Sequence, residues 1–280
     1  MKNSGLIAKT INTPTTSSAS GVWSLQEQYE AETNGAWPKF VDTSGLSSNV
    51  LLYSPFNDAN NNTTARAYVK GTGIVSNAWS AQGNAIISTG QTNISGTSTS
   101  GYNPAGQKAD GWQLDSTIST GLEVGSASPL SIEFWFYNSN AVSGAYARLV
   151  SWGGYHVSGT GIEFETSGSN AQLVRFYEFT GGGGNRRSVG HDKTINPNAW
   201  NHIYWAFQPS GDSYLGINGV VTSTSGAYIN NFAPLVDLNL LKTPNNADDG
   251  MKGYVQEFIV RNIVPYTANF TPSTTQLASI

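Results

Sequence analysis

The sequence predicts an all-β protein: two antiparallel sheets packed face to face as a sandwich. Three observations lead there. The first is the run WNHIYWAF, Trp200 to Phe207, in which Ile203, Trp205 and Phe207 alternate with Trp200, His202, Tyr204 and Ala206. That period of two belongs to an antiparallel strand. The second is repetition of this pattern in many short runs punctuated by Gly, Pro and Asn turns. The third is that no helix-length periodic segment follows residue 35, and no fixed-period repeat of the propeller or solenoid kind is present.

Composition narrows the reading. At 280 residues the chain fits one large β domain with an appendage. Charged residues make up only 11% of the chain and the net charge is -4, with no basic stripe to offset it. Nucleic acid is therefore excluded as the main partner. The absence of Cys rules out disulfides and thiolate metal sites. The start, MKNSGLIAKTINTPTTSSAS, lacks the apolar run of a signal peptide, and no stretch approaches a membrane span. The expectation is synthesis in a cytoplasm without membrane insertion.

In order, residues 1–20 read as a polar arm with one small apolar cluster at Leu6, Ile7 and Ala8. In GVWSLQEQYEAETNGAWP, Ser24 and Glu27 form a capping box that starts a short helix, and Asn34-Gly35 ends it. Val22, Trp23, Leu25, Tyr29 and Trp37 give this element more aromatic surface than it can bury itself. Two readings follow: it packs back on the chain's own β domain, or it docks the chain to an assembly. Strands then begin at NVLLYSPF, continue through AYVKGTGIVSNAW and GNAIISTG, and resume at GWQLDS and GLEVG after a long loop from Gln91 to Asp110. LSIEFWFY, ARLVSWGG, GTGIEFET and AQLVRFYEF alternate in the same manner, and a tetraglycine precedes Asn185-Arg186-Arg187, read as a mobile hairpin tip. WNHIYWAF and SYLGINGV form a hairpin around Pro209 and Gly211. Ala233 to Leu241, GYVQEFIVRN and the coil YTANFTPST close the chain.

Taken as an ordered set, NVLLYSPFND, GNAIIST, GWQLDST, LSIEFWFY, WNHIYWAF, LGINGV, GYVQEFIVRN and YTANFTP resemble the concanavalin A-like lectin/glucanase domains, near their laminin G-like branch. The early GNA-I-IST strand and the closing YTANFTP resemble the variant found in structural proteins of tailed bacteriophages, as does the segment SGVWSLQEQYEAETNGAWP. The resemblance implies a jelly roll over residues 49–280, carried on an arm over residues 1–48. It also implies a face or rim that binds glycans, sometimes with calcium. One departure stands out. The family's late strand commonly reads G-x-I-D-E, and Gln256 occupies the Asp position.

Catalysis finds little support. Glucanases of this fold place carboxylates on alternate residues of one strand, and the nearest match is Glu163 and Glu165 in GIEFET. The E-x-D-x-x-E pattern is missing because position 168 is Gly, so the pair reads as two solvated glutamates on an outer face. His156, His191 and His202 sit in no nucleophile motif. GGGGNRR lacks the ending of a phosphate loop. Asp248 and Asp249 in NNADDG offer oxygen ligands for calcium, but without the spacing of a calcium loop. For glycan binding, an aromatic plane with amides or Arg beside it is required. The candidates are Trp152, Tyr155 and His156 in SWGGYH, with Asn185, Arg186 and Arg187 at a neighbouring tip. Trp200 and Trp205 read as scaffold.

The sequence thus points to a non-enzymatic virion protein of a tailed phage: a capsid decoration, tail or fibre component with no cofactor. It is expected to be multi-copy or homo-oligomeric, joined to other virion proteins by its arm and displaying a lectin-like domain to host-surface glycans. A stand-alone glycan-binding lectin is the second reading, and a glycoside hydrolase the third.

Overall fold

The structure, a computed structural model, describes residues 46–91, 94, 99–106, 109–122, 128–142, 146–152, 160–167, 170–180, 186–189, 193–208, 212–225, 238–242 and 250–274. All belong to the unit Thr43–Ile280, which separates from Met1–Asp42. The expected docking residues Val22, Trp23, Leu25, Tyr29 and Trp37 lie outside the described residues.

Among the described residues are six strands before a short helix: β1 (Val50–Ser54), β2 (Thr64–Val69), β3 (Gly73–Gln82), β4 (Ile86–Ser88), β5 (Ser100–Asn103) and β6 (Gly111–Leu114). Helix α1 (Ser116–Gly121) follows, then β7 (Leu130–Val142), β8 (Arg148–Trp152), β9 (Thr160–Ser167), β10 (Asn170–Thr180), β11 (Arg186–Ser188) and β12 (Lys193–Thr194). The last five are β13 (Ala199–Phe207), β14 (Ser213–Ile217), β15 (Val220–Thr224), β16 (Asn239–Leu240) and β17 (Met251–Arg261).

Pairing is antiparallel and builds the expected sandwich. The first sheet runs β15-β14-β13-β7-β17-β1-β2, with β5 and β4 flanking the other half of β17. The second runs β3-β6-β16-β8-β9-β10, with β11 and β12 at its far edge. The β2–β3 hairpin joins the two, so hydrogen bonding continues from one sheet into the other. Between them Phe134 meets Phe164 edge to face, and Trp205 packs on Phe176 with centroids 5.1 Å apart. Ile203, Trp205 and Phe207 are buried here with Ile132, Phe134 and Phe136, as their alternation predicts.

The outward residues of these strands are also covered. Glu133, His202, Tyr204 and Ala206 are buried, because residues 262–274, which include the expected plain coil YTANFTPST, cross this face as a strap. Tyr204 donates its hydroxyl to the Tyr266 carbonyl at 2.9 Å. Tyr266 stacks on Phe270, with centroids 3.7 Å apart. Trp135 Nε1 donates to Ser273 O. The strap also caps the sheet edge, since Val221 N donates to Asn269 Oδ1 and Phe270 N to Gly219 O. Gly219 is required there: with φ +81° it completes the two-residue Asn218-Gly219 turn, and a Cβ would lie 2.0 Å from Phe270 O.

Two local expectations are corrected. The loop from Gln91 to Asp110 contains β5, which reads as Ser/Gly-rich coil but finds its partners on β17 and β4. GWQLDS is followed by helix α1, capped at Asp115 through the Thr117 amide.

Candidate functional site

The face of the second sheet that points away from the first carries a polar row drawn from seven strands. Reading across the registers, Ser80 pairs with Gln113, Gln113 with Asn239, Asn239 with Ser151, Ser151 with Glu163, Glu163 with Tyr177, and Tyr177 with Ser188. One residue along each strand, Trp112, Leu240, Val150, Phe164 and Phe176 form the opposite row, and all are core. The alternation of single strands thus becomes an alternation of the whole sheet.

A second polar row lies beside the first, with Glu165 paired to both Arg148 and Arg175. Arg148 reaches this face because the ladder shifts register between Arg148 and Val150, a bulge that turns its side chain outward. Its guanidinium forms ion pairs with Glu163 (Nε to Oε1, 3.1 Å) and with Glu165 through Nη1. Arg175 Nη1 donates to the Tyr177 hydroxyl. Arg148, Glu163, Glu165, Tyr177, Ser151 and Asn239 are buried. Gln113, Arg175 and Ser188 are half-buried, and Ser80 is exposed. The centre of the face is therefore a fixed polar floor, and its two ends are accessible.

The expected residues fare unevenly against this geometry. Glu163 and Glu165 share a face as predicted, yet they are not solvated: both are buried and held by Arg148. Trp152 is corrected from rim to core. It is 0% exposed and sits opposite Ile162 on the inner side of β8, so it offers no plane for stacking a sugar. Arg186 and Arg187 open β11, paired with Phe179 and Glu178 at the end of β10. They lie three strands from Trp152, roughly 14 Å at ordinary strand spacing. Tyr155, His156, Asn185, Asp248 and Asp249 lie outside the described residues. Among the described residues no group of three or more His, Asp or Glu side chains is placed to hold a metal.

Sequence reasoning missed two groups. One is Arg148 itself, fifteen residues before Glu163. The other is a buried ionic cluster in the first sheet, where Glu133 Oε1 lies 2.8 Å from His202 Nε2 and Oε2 pairs with Arg261. Burial pushes the Glu133 carboxyl up, but the His202 hydrogen bond and the Arg261 charge outweigh it and hold its pKa below the ordinary value. The Gln256 departure also gains a cause: its Oε1 accepts from Ile94 N and its Nε2 donates to Thr99 O. An Asp there has no donor for Thr99.

The family model described as the concanavalin A-like lectin/glucanases superfamily matches residues 113–264, more than half of the chain. The chain belongs to this superfamily. Its concanavalin A-like fold recurs in domain 4 of AbnA, a GH43 extracellular arabinanase from Geobacillus stearothermophilus, in complex with arabinotriose. That structure aligns with TM-score 0.53 and 14% identity over 83% of this chain and 98% of its own. The binding domain of Paraclostridial Mosquitocidal Protein 1 aligns with TM-score 0.51 and 13% identity over 78% of this chain and 50% of its own. A botulinum neurotoxin type C structure, concerned with cell entry through two ganglioside molecules, gives TM-score 0.50 and 13% identity over 82% and 50%. The chain thus spans half the length of the two toxin structures. At such identities the likeness is one of fold. No curated protein sequence matches the chain.

Proposed function

We propose that this concanavalin A-like domain is a non-catalytic glycan-binding module. The observation that carries the reading is the engagement of both Glu163 and Glu165 by the single guanidinium of Arg148. A glycosidase pair must stand apart across the scissile bond, one member taking up a proton and the other attacking or activating water. Two carboxylates closed onto one buried Arg serve instead as fixed acceptors that hold the polar floor rigid. The accessible ends of that floor, Ser80 with Gln113 and Arg175 with Ser188, supply the hydroxyl, amide and guanidinium groups that bond sugar hydroxyls. The arabinotriose complex of AbnA domain 4 and the ganglioside interaction of the neurotoxin support this reading by analogy of fold.

The setting we propose is a tailed-phage particle, with the arm over residues 1–48 joining the chain to other virion proteins. Its support is the ordered motif set ending in YTANFTP, together with the aromatic load of Trp23, Tyr29 and Trp37 on a polar tether. Deletion of residues 2–48 followed by measurement of particle incorporation tests this setting. Incorporation at normal copy number would overturn it. A glycan array probed with the intact chain and with Gln113→Ala/Arg175→Ala tests the binding. Signal that the double variant loses supports the site, and an array without signal overturns the function.

A further inference from the structure

A concavity lies between β1, the β2–β3 hairpin and helix α1. It has a volume of about 520 Å³, within the range of ordinary small-molecule sites. Its bottom is aliphatic: Leu51, Val69, Val75, Ile118 and Leu122 line it. Leu122 belongs to the core, and the other four pack against the core while remaining partly accessible. Among the described residues no aromatic ring lines it, so they supply no stacking plane of the kind a sugar needs.

Its two charged groups are of opposite sign. Lys70 lines one part, its Nζ donating to Ser48 O at 2.7 Å, which leaves two of its three protons for a ligand. Asp115 lines another. Its Oδ1 accepts from the Thr117 amide and hydroxyl, which fixes the carboxylate in orientation. Those bonds, hydroxyl first, hold its pKa below the ordinary value, so it is anionic throughout the neutral range. Gly121 also lines the pocket, and a Cβ built there meets nothing within 4 Å.

We propose that this pocket binds a zwitterion with an apolar body, its ammonium on Asp115, its carboxylate on Lys70 and its side chain in the aliphatic trough. Free apolar amino acids and short apolar peptides share this chemistry. A pocket of this size favours the peptide, because a single leucine fills less than half of it.

The test is titration of the full chain, labelled with nitrogen-15, with leucine, leucyl-leucine, leucinamide and 4-methylpentanoate. Shifts are followed at the amides of Lys70, Ile118 and Gly121. The two zwitterions are expected to move these amides, and loss of either charge weakens binding by roughly two- to fivefold, as expected for ion pairs at exposed groups. Tighter binding of the dipeptide identifies a peptide terminus as the source, and equal or tighter binding of leucine a free amino acid. Two variants probe the contacts. Asp115→Asn retains the helix cap, since Asn caps as well as Asp, and is expected to lose the ammonium contact. Gly121→Leu adds a side chain at a lining position where a Cβ meets nothing within 4 Å, and is expected to abolish binding by occupying the pocket. The proposal is overturned if no ligand moves these amides, if the uncharged analogues bind as tightly as the zwitterions, or if the shifts persist in Gly121→Leu.

Discussion

Arg148 Nε lies 3.1 Å from Glu163 Oε1, and both side chains are almost wholly shielded from water. The same guanidinium holds Glu165, so one cation neutralises part of the charge of two carboxylates. Breaking a buried pair by removing one partner leaves an uncompensated charge and costs about 3–5 kcal/mol. Arg148→Met is therefore expected to lower unfolding free energy by about that amount in urea titration. Adding Glu163→Gln and Glu165→Gln to it recovers most of the loss.

Glu133 sets an acid limit. Its folded-state pKa is held below the ordinary value of 4.5, so its contribution to stability is complete above that value and disappears as pH falls through the folded pKa. The urea midpoint of the intact chain is expected to decline, as pH falls below the ordinary value of 4.5, more steeply than that of Glu133→Gln. Parallel profiles would remove Glu133 from the acid limit.

The strap is a packed element of the fold. Gly219→Ala introduces a Cβ against Phe270 O at a position with φ +81°, and is expected to lift residues 266–273 from β13 and β15. Hydrogen exchange followed by mass spectrometry checks this, with faster exchange over the strap and at Val221, whose amide loses Asn269.

Trp152→Ala removes a ring buried in the core. A loss of about 3–5 kcal/mol is expected, read as a lower thermal midpoint. Glycan retention by the folded fraction stays unchanged.

Much of the sandwich was legible because its signal is local. WNHIYWAF and LSIEFWFY announce their faces by alternation, and Asn218-Gly219 announces the turn. What the sequence concealed depends on long-range pairing. Nothing in GIEFET says that a bulge in the preceding strand turns Arg148 onto its glutamates. SWGGYH reads as a rim because of its glycines, whereas Trp152 takes its side from its register with Ile162. YTANFTPST has no periodicity to betray packing, yet Tyr266 and Phe270 cover the outward residues of WNHIYWAF. For the same reason the polar row from Ser80 to Ser188, assembled from seven separated segments, had no motif by which to be found.

The central claim is that the second-sheet face binds glycan without cleaving it. Affinity electrophoresis of the intact chain through gels containing a panel of polysaccharides, with an assay for new reducing ends on the same mixtures, tests it most directly. The expected result is retardation by at least one polysaccharide, reduced in Gln113→Ala/Arg175→Ala, with no reducing ends released. Release of reducing ends that is lost in Glu163→Gln, or free migration through every polysaccharide, would contradict it.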